Sequence, residues 1–327
     1  MKLSYEQILS VAFGYESYIQ DEKGIRLYHM RTEHAAFISS FNEIWGIRAH
    51  SGAGIYLDFY TDSSYFGFAY DQAVEGSSQI WYYFEILIDG KSVALIGEYD
   101  TAVRQGEHRI QLPTGTHHVT LVFPNMFNAR LTKVELSDGA SLSPAVKKGK
   151  LVFYGDSITQ GYHSKMPALC YVHRIGVQTD YEAFNLGVGG AIFDPRLIDM
   201  QTFIRPDAVF VAYGTNDWMR VITPEDFTKN VRAFLDALKK LYPTQPIFVI
   251  LPIWRVNCQA VHSLGTLLDA RKLLCEIANG YEKVKLIDLW EDIPQEATLF
   301  SDGLHPNEQG FAFYADGVYK QIKGALL

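Results

Sequence analysis

The sequence predicts two architectures in series: an all-β sandwich, then an α/β domain built on a largely parallel sheet. Three observations carry this reading. Residues 30–140 hold repeated short runs rich in β-branched and aromatic side chains, punctuated by Gly, Asp, Asn and Ser. A polar connector, "DGASLSPAVKKGK" (138–150), interrupts that rhythm. Beyond it, short apolar runs alternate with longer amphipathic segments, the pattern of strands crossed by helices. At 327 residues the chain is long enough for two such domains, each with its own core, placed at 1–146 and 147–327.

In the first half the expected strands are "GIYLDFYT" (54–61), "SYFGFAYD" (64–71), "QIWYYFEILIDGK" (79–91), "GEHRIQL" (106–112), "HHVTLVF" (117–123) and "ARLTKVEL" (129–136). Asp89-Gly90 is a hairpin signal, because both residues tolerate the positive φ that a tight turn demands. Six strands at this spacing suggest a β-sandwich.

In the second half, buried strands are expected at 151–154, "AFNLG" (183–187), "AVFVAYG" (208–214), "IFVILP" (247–252) and "KVKLIDL" (283–289). The clearest helix is "TPEDFTKNVRAFLDALKKLY". Thr223 is its N-cap, Pro224 occupies N1, and Asp226 at N3 resembles a capping box. Its Phe227, Val231, Phe234, Leu235, Leu238 and Leu241 fall on one face. In such sheets catalytic loops gather at the carboxyl ends of the strands.

Bulk properties narrow the possible partners. A formal net charge of -8 with no basic stripe argues against nucleic acid. No run approaches the roughly 18 apolar residues of a membrane span. "MKLSYEQILSVAFG" lacks the apolar region and cleavage site of a secretory signal. Three cysteines, Cys170, Cys258 and Cys275, cannot all pair and show no metal-ligand spacing. Buried free thiols in a reducing, cytoplasmic setting account for them.

Four polar clusters fall at the carboxyl ends of these predicted strands: Ser157 in "YGDSIT", the glycines of "NLGVGG", Asn216 in "YGTND", and Asp302 with His305 in "SDGLHPN". Each has an ordinary structural explanation. Ser157 would cap a helix, Asp302 a turn, the glycines a tight bend, and Asn216 would satisfy loop backbone. Their convergence at one sheet edge needs more. A serine hydroxyl is a weak nucleophile that requires a base, usually His, oriented by a carboxylate. Asp302 and His305 are spaced to share one side of a turn. Acyl transfer also needs donors for the oxyanion. The Ser157 N–H, a glycine N–H from 187–190 and the Asn216 amide form such a set.

These blocks resemble the SGNH/GDSL hydrolase family, named for motifs carrying Ser, Gly, Asn and His. "YGDSIT" is similar to the first block, "NLGVGG" to the second, "YGTND" to the third and "SDGLHPN" to the fifth. The resemblance spans about 151–327 and implies a flavodoxin-like three-layer α/β/α fold and a metal-free, cofactor-free ester hydrolase. It implies Ser157 as nucleophile, Asp302 and His305 as its triad partners, and Gly190 as the oxyanion glycine, with Gly189 as the alternative. The first half is similar to the jelly-roll-like sandwich preceding the catalytic domain in some bacterial carbohydrate esterases. No G-x-S-x-G elbow occurs, which argues against an α/β-hydrolase. In "GVGGAI", Ile192 replaces the third glycine of a dinucleotide loop.

The expected substrate is therefore a short-chain ester, an acetyl group on a carbohydrate such as an oligosaccharide. Trp218 and Trp254 flank the catalytic edge and would stack on a sugar if exposed, or fill core if buried. A broader short-chain esterase, thioesterase or lysophospholipase is the alternative within enzymes. A carbohydrate-binding protein with an inactive hydrolase domain is the alternative outside them.

Overall fold

The computed structural model describes residues 1–75, 81–98, 104–198 and 200–326, with the side chains of 72–75 and 98 left aside. Its first half is a sandwich of two antiparallel sheets. One is built around Tyr56–Thr61, Tyr82–Ile88, Lys91–Glu98 and His117–Val122, the other around Ile25–Tyr28, Tyr65–Glu75, Gly106–Gln111 and Phe127–Leu136. Alternating aromatic and aliphatic residues from both sheets fill the space between, among them Leu57, Phe59, Phe66, Phe68, Phe84 and Leu121, all fully buried. Residues 79–80 of the run read as strand 79–91 lie outside the described residues. Asp89 and Gly90 do make the tight hairpin turn, with φ of 51° and 75°.

One stretch departs from the expected rhythm. Residues 32–48 hold two helices, Thr32–Phe41 and Glu43–Arg48, within a half read as all-β. Asn42 separates them, and its side-chain oxygen accepts from the Trp45 N–H at 3.1 Å to cap the second helix. The β-favouring Phe37, Ile38 and Phe41 obscure a helical spacing in which His34, Ala35 and Ile38 are the buried residues.

The second half is a five-stranded parallel sheet of Lys150–Gly155, Glu182–Gly187, Ala208–Ala212, Ile247–Ile250 and Val284–Ile287. In space the second strand lies beside the first, followed by the third, fourth and fifth. That is the flavodoxin-like order, whose topological switch point falls next to the first strand. Helices Tyr171–Thr179 and Glu308–Leu326 pack on one face, and Pro224–Leu241 and Leu267–Ala278 on the other. Thr223 caps Pro224–Leu241 by accepting from the Asp226 N–H at 3.1 Å. The Asp226 carboxylate takes the Thr223 hydroxyl rather than its backbone N–H, so only half of the capping box forms.

The two halves meet along the first and second strands of the parallel sheet. The Gly14 N–H donates to Glu182 Oε1 (3.0 Å), the Ala168 N–H to Glu85 Oε2 (2.9 Å), and His29 Nδ1 lies 2.6 Å from the Asn185 carbonyl. Cys170 and Cys258 are buried, Cys275 is half-buried, and all three are free. Among the described residues no helix is long and apolar enough to cross a membrane.

Candidate active site

The Lys150–Gly155 strand delivers the chain into a single helical turn, Ser157–Gln160, ended by Gly161 in the left-handed region. Close packing demands glycine at 155, because a Cβ there would collide with the Thr159 side chain. The cap of this turn is Asp156, whose Oδ1 accepts the Ile158 N–H at 2.9 Å. Ser157 is thus not spent on capping. Its hydroxyl lies 2.8 Å from His305 Nε2, and His305 Nδ1 lies 2.7 Å from Asp302 Oδ2. A carboxylate facing Nδ1 requires a proton there, which leaves Nε2 as the acceptor for the serine hydroxyl.

The turn 302–305 rigidifies this pair. Asp302 Oδ1 accepts from the backbone N–H groups of Leu304 (3.0 Å) and His305 (2.8 Å). Partial burial works to raise the Asp302 carboxyl, but the His305 side chain and these backbone donors outweigh it and hold it well below the usual range. The carboxylate is therefore ionised where it faces the imidazole. His163, six positions past Ser157 and not an expected site residue, approaches the same Oδ2 at 3.4 Å. His163, Asp302 and His305 each present a ligand-type atom within 4.8 Å of one another, a closeness that these mutual contacts account for.

The expected oxyanion donors occupy distinct situations. Gly189 N–H donates to Gln160 Oε1 at 2.8 Å. Gly190 N–H has no acceptor among the described residues, and its φ of 76° suits glycine. Of the two glycines, Gly190 therefore has the available donor. The Ser157 N–H is likewise without a protein acceptor among the described residues. Asn216 lies on the cleft, but its amide already donates to the Ala191 carbonyl at 3.0 Å and to Asp156 Oδ2 at 3.3 Å. The longer of these bonds must yield before the amide serves an oxyanion.

Behind the site lie two buried carboxyls. Burial, reinforced by Asp217, pushes Asp156 up to about 7 against the Ile158 N–H. Burial likewise pushes Asp217 up to about 7, against the Phe193 N–H that donates to its Oδ1.

The cleft beside Ser157 encloses about 210 Å³ and is lined by both halves of the chain. Arg48 and Met126 come from the first half, and Tyr162 packs its ring 4.7 Å from that of His305. Sequence reasoning missed all three. Tyr162 stands five positions past Ser157, a local signal; Arg48 and Met126 reach the site only through packing of the halves and carry none.

One of the two tryptophans requires a correction. Trp218 is fully buried, its Nε1–H donating to the Gly265 carbonyl at 2.9 Å, so it offers no face to a sugar. Trp254 is half-buried with its ring 5.3 Å from that of Phe300, and it is not among the residues lining the cleft.

A serine, an imidazole and a carboxylate in hydrogen-bonded series, at the carboxyl edge of a 2-1-3-4-5 parallel sheet, define the class of protein as a hydrolase of the three-layer α/β/α type. Residues 153–313 match the model of the GDSL-like lipase/acylhydrolase family, so the second half of the chain carries a GDSL-like acylhydrolase domain, that of an ester hydrolase. No curated protein sequence matches it. Among solved structures it is similar to the salicylyl-acyltransferase SsfX3 of a tetracycline biosynthetic pathway, at 20% identity and a TM-score of 0.80, covering 96% of this chain and 94% of that one. A family two carbohydrate esterase from Clostridium thermocellum, in complex with cellohexaose, aligns at 15% identity and a TM-score of 0.71 over 96% of this chain and 99% of that one. An acetyl xylan esterase from the rumen bacterium Butyrivibrio proteoclasticus aligns at 16% identity and 0.61, over 84% and 91%. At these identities the likeness establishes the two-part fold.

Proposed function

We propose that the chain hydrolyses short-chain esters, acetyl esters of a carbohydrate foremost, through an acyl-serine intermediate. The observation that carries this is the uninterrupted series Ser157 Oγ–His305 Nε2 (2.8 Å) and His305 Nδ1–Asp302 Oδ2 (2.7 Å). Ser157 Oγ attacks the ester carbonyl while His305 Nε2 takes its proton. The tetrahedral oxyanion is held by the N–H groups of Ser157 and Gly190 and by Asn216 once its bond to Asp156 yields. His305 returns the proton to the departing alcohol, then takes one from the water that attacks the acyl-serine, and passes it to Ser157 Oγ as the acid is released, which restores the serine hydroxyl and the neutral imidazole. Asp302 orients the ring and stabilises the imidazolium at both stages.

A cleft of about 210 Å³ is smaller than the roughly 300–1,000 Å³ of pockets for drug-sized ligands, which favours a small acyl group over a fatty chain. The neighbouring carbohydrate esterases and their oligosaccharide complex support a sugar as the alcohol. Aryl esters from acetyl upward, followed by acetate release from acetylated xylo-oligosaccharides, test the proposal. Rates that peak at acetyl and transfer to the sugar are expected. A peak at eight carbons or longer replaces it with the lipase-like alternative, and binding without turnover replaces it with a carbohydrate-binding role.

A further inference from the structure

We propose that Arg48 receives a carboxylate on the substrate, so that the preferred ester is anionic on its acyl or its alcohol side. This rests on the reading of Ser157 as the esterolytic nucleophile and names the substrate class of that same site.

Arg48 ends the short helix Glu43–Arg48 and reaches across from the first half of the chain into the Ser157 cleft. Its position is set by a closed circuit. Arg48 Nη1 donates to the Gly189 carbonyl at 2.7 Å, Gly189 N–H donates to Gln160 Oε1 at 2.8 Å, and Gln160 Nε2 donates back to the Arg48 carbonyl at 2.9 Å. Gln160 is fully buried, so the stem of the arginine is held beside the oxyanion glycines by groups that cannot swing into water.

That circuit uses one of the five guanidinium N–H donors. Among the described residues the others have no protein acceptor, and no carboxylate lies within 4.0 Å of Arg48. A half-buried cation without a counter-charge is costly, and it is out of keeping with a chain whose net charge is -8. A purely structural anchor for the Gly189 carbonyl needs a single donor. A planar guanidinium with an unused edge facing a substrate cleft matches a carboxylate in bidentate geometry. Arg220, at the end of the helical turn Thr215–Met219, adds a second positive charge beside the glycine loop, its Nη2 donating to the Gly190 carbonyl at 3.3 Å while its guanidinium lies 5.7 Å from the Trp45 ring. The ionised carboxylate of the site, Asp302, is already engaged by His305 and approached by His163.

The test compares matched pairs of esters in the full chain and in Arg48→Met and Arg48→Lys, with thermal unfolding confirming that each variant folds. On the acyl side the pair is an aryl hemisuccinate and the aryl butyrate. On the alcohol side it is O-acetyl-galacturonate and O-acetyl-galactose. The wild-type chain is expected to prefer the anionic member of one pair by about tenfold or more in kcat/KM. In Arg48→Met that ratio should fall to near unity, and Arg48→Lys should lie between, whatever happens to absolute turnover. The pair showing the effect locates the carboxylate. Equal rates within both pairs for the wild type, or a preference that survives in Arg48→Met, overturn the proposal. If no ester is turned over, the esterase reading fails separately. Calorimetric binding of the same compounds to Ser157→Ala, with and without Arg48→Met, then decides the role of Arg48: an Arg48-dependent anionic preference supports it, and equal binding overturns it.

Discussion

Ser157 and His305 stand 148 positions apart in the chain, yet Oγ and Nε2 lie 2.8 Å from one another. The contact is made by the sheet: the first strand delivers the serine to one edge, and the loop after the fifth returns the histidine to it. Removing either side chain leaves binding and oxyanion contacts but no activated nucleophile. Ser157→Ala and His305→Ala are each expected to lower kcat on aryl acetates by about 10⁴-fold or more, with the double variant little worse than either. Near wild-type turnover by Ser157→Ala would sink the assignment.

Asp302→Asn separates orientation from charge. The amide keeps an acceptor for the backbone N–H groups of Leu304 and His305, but no longer enforces a proton on His305 Nδ1. We expect kcat to drop by about 10²–10⁴-fold with KM little changed, measured on the same aryl acetate. A change confined to KM would place Asp302 outside the proton path.

For the oxyanion donors, Asn216→Ala should cost about 10²–10³-fold in kcat, the usual scale for one donor. Gly190→Ala should cost as much for a different reason. Its backbone sits at a φ of 76°, where a side chain is strained whatever the space, and relaxing that strain moves the N–H off its line; the added Cβ, 2.9 Å from Arg48 Nη1, also displaces the guanidinium. Steady-state kinetics with unchanged circular dichroism would distinguish both effects from unfolding; undiminished kcat in Gly190→Ala would remove Gly190 from the donor set.

Much of this site was legible in the sequence because its parts are local. Ser157, Asn216 and the Asp302–His305 pair each follow a strand whose apolar run announces it, and strand-helix alternation forces those ends to one edge. What escaped depends on contacts the chain makes with distant parts of itself. Arg48 lies on a helix hidden by β-favouring neighbours, and only docking of the two halves carries it to Gly189. Trp218 follows Asn216 closely enough to suggest the cleft. The single helical turn Thr215–Met219 points it into the core instead. Proximity in sequence identifies an edge, whereas facing is decided by the turn that follows.

Those tryptophans yield a paired test. Trp218→Phe forfeits the bond to the Gly265 carbonyl and part of a fully buried ring, and should destabilise the fold by about 1–3 kcal/mol in chemical denaturation. Its effect on the kinetics of acetylated oligosaccharides should match its effect on aryl acetates. Trp254→Phe keeps an aromatic against Phe300 and should raise KM for oligosaccharides alone if a sugar extends beyond the cleft. Equal KM changes for both substrates would return Trp254 to the core.

The buried carboxyls Asp156 and Asp217 make stability depend on pH in a direction opposite to Asp302. Burial raises both to about 7, so the folded chain keeps protons that an unfolded chain releases near pH 4. Wherever the folded state binds more protons, stability falls as pH rises. The contribution of this pair is therefore fully present below about pH 4 and is lost progressively as pH climbs through about 7. Asp302, held below the usual range, contributes stability that is lost on acidification instead. Asp217→Asn isolates the first effect. The amide oxygen still accepts the Phe193 N–H, and the unpaired Oδ2 is replaced by a group that never ionises. Thermal unfolding from pH 5 to 8 should show a smaller decline in Tm for Asp217→Asn than for the wild type. The two curves should diverge most above pH 7, where the wild-type carboxyl must carry a buried charge. Parallel curves across that range would mean that Asp217 titrates alike in the folded and unfolded chains.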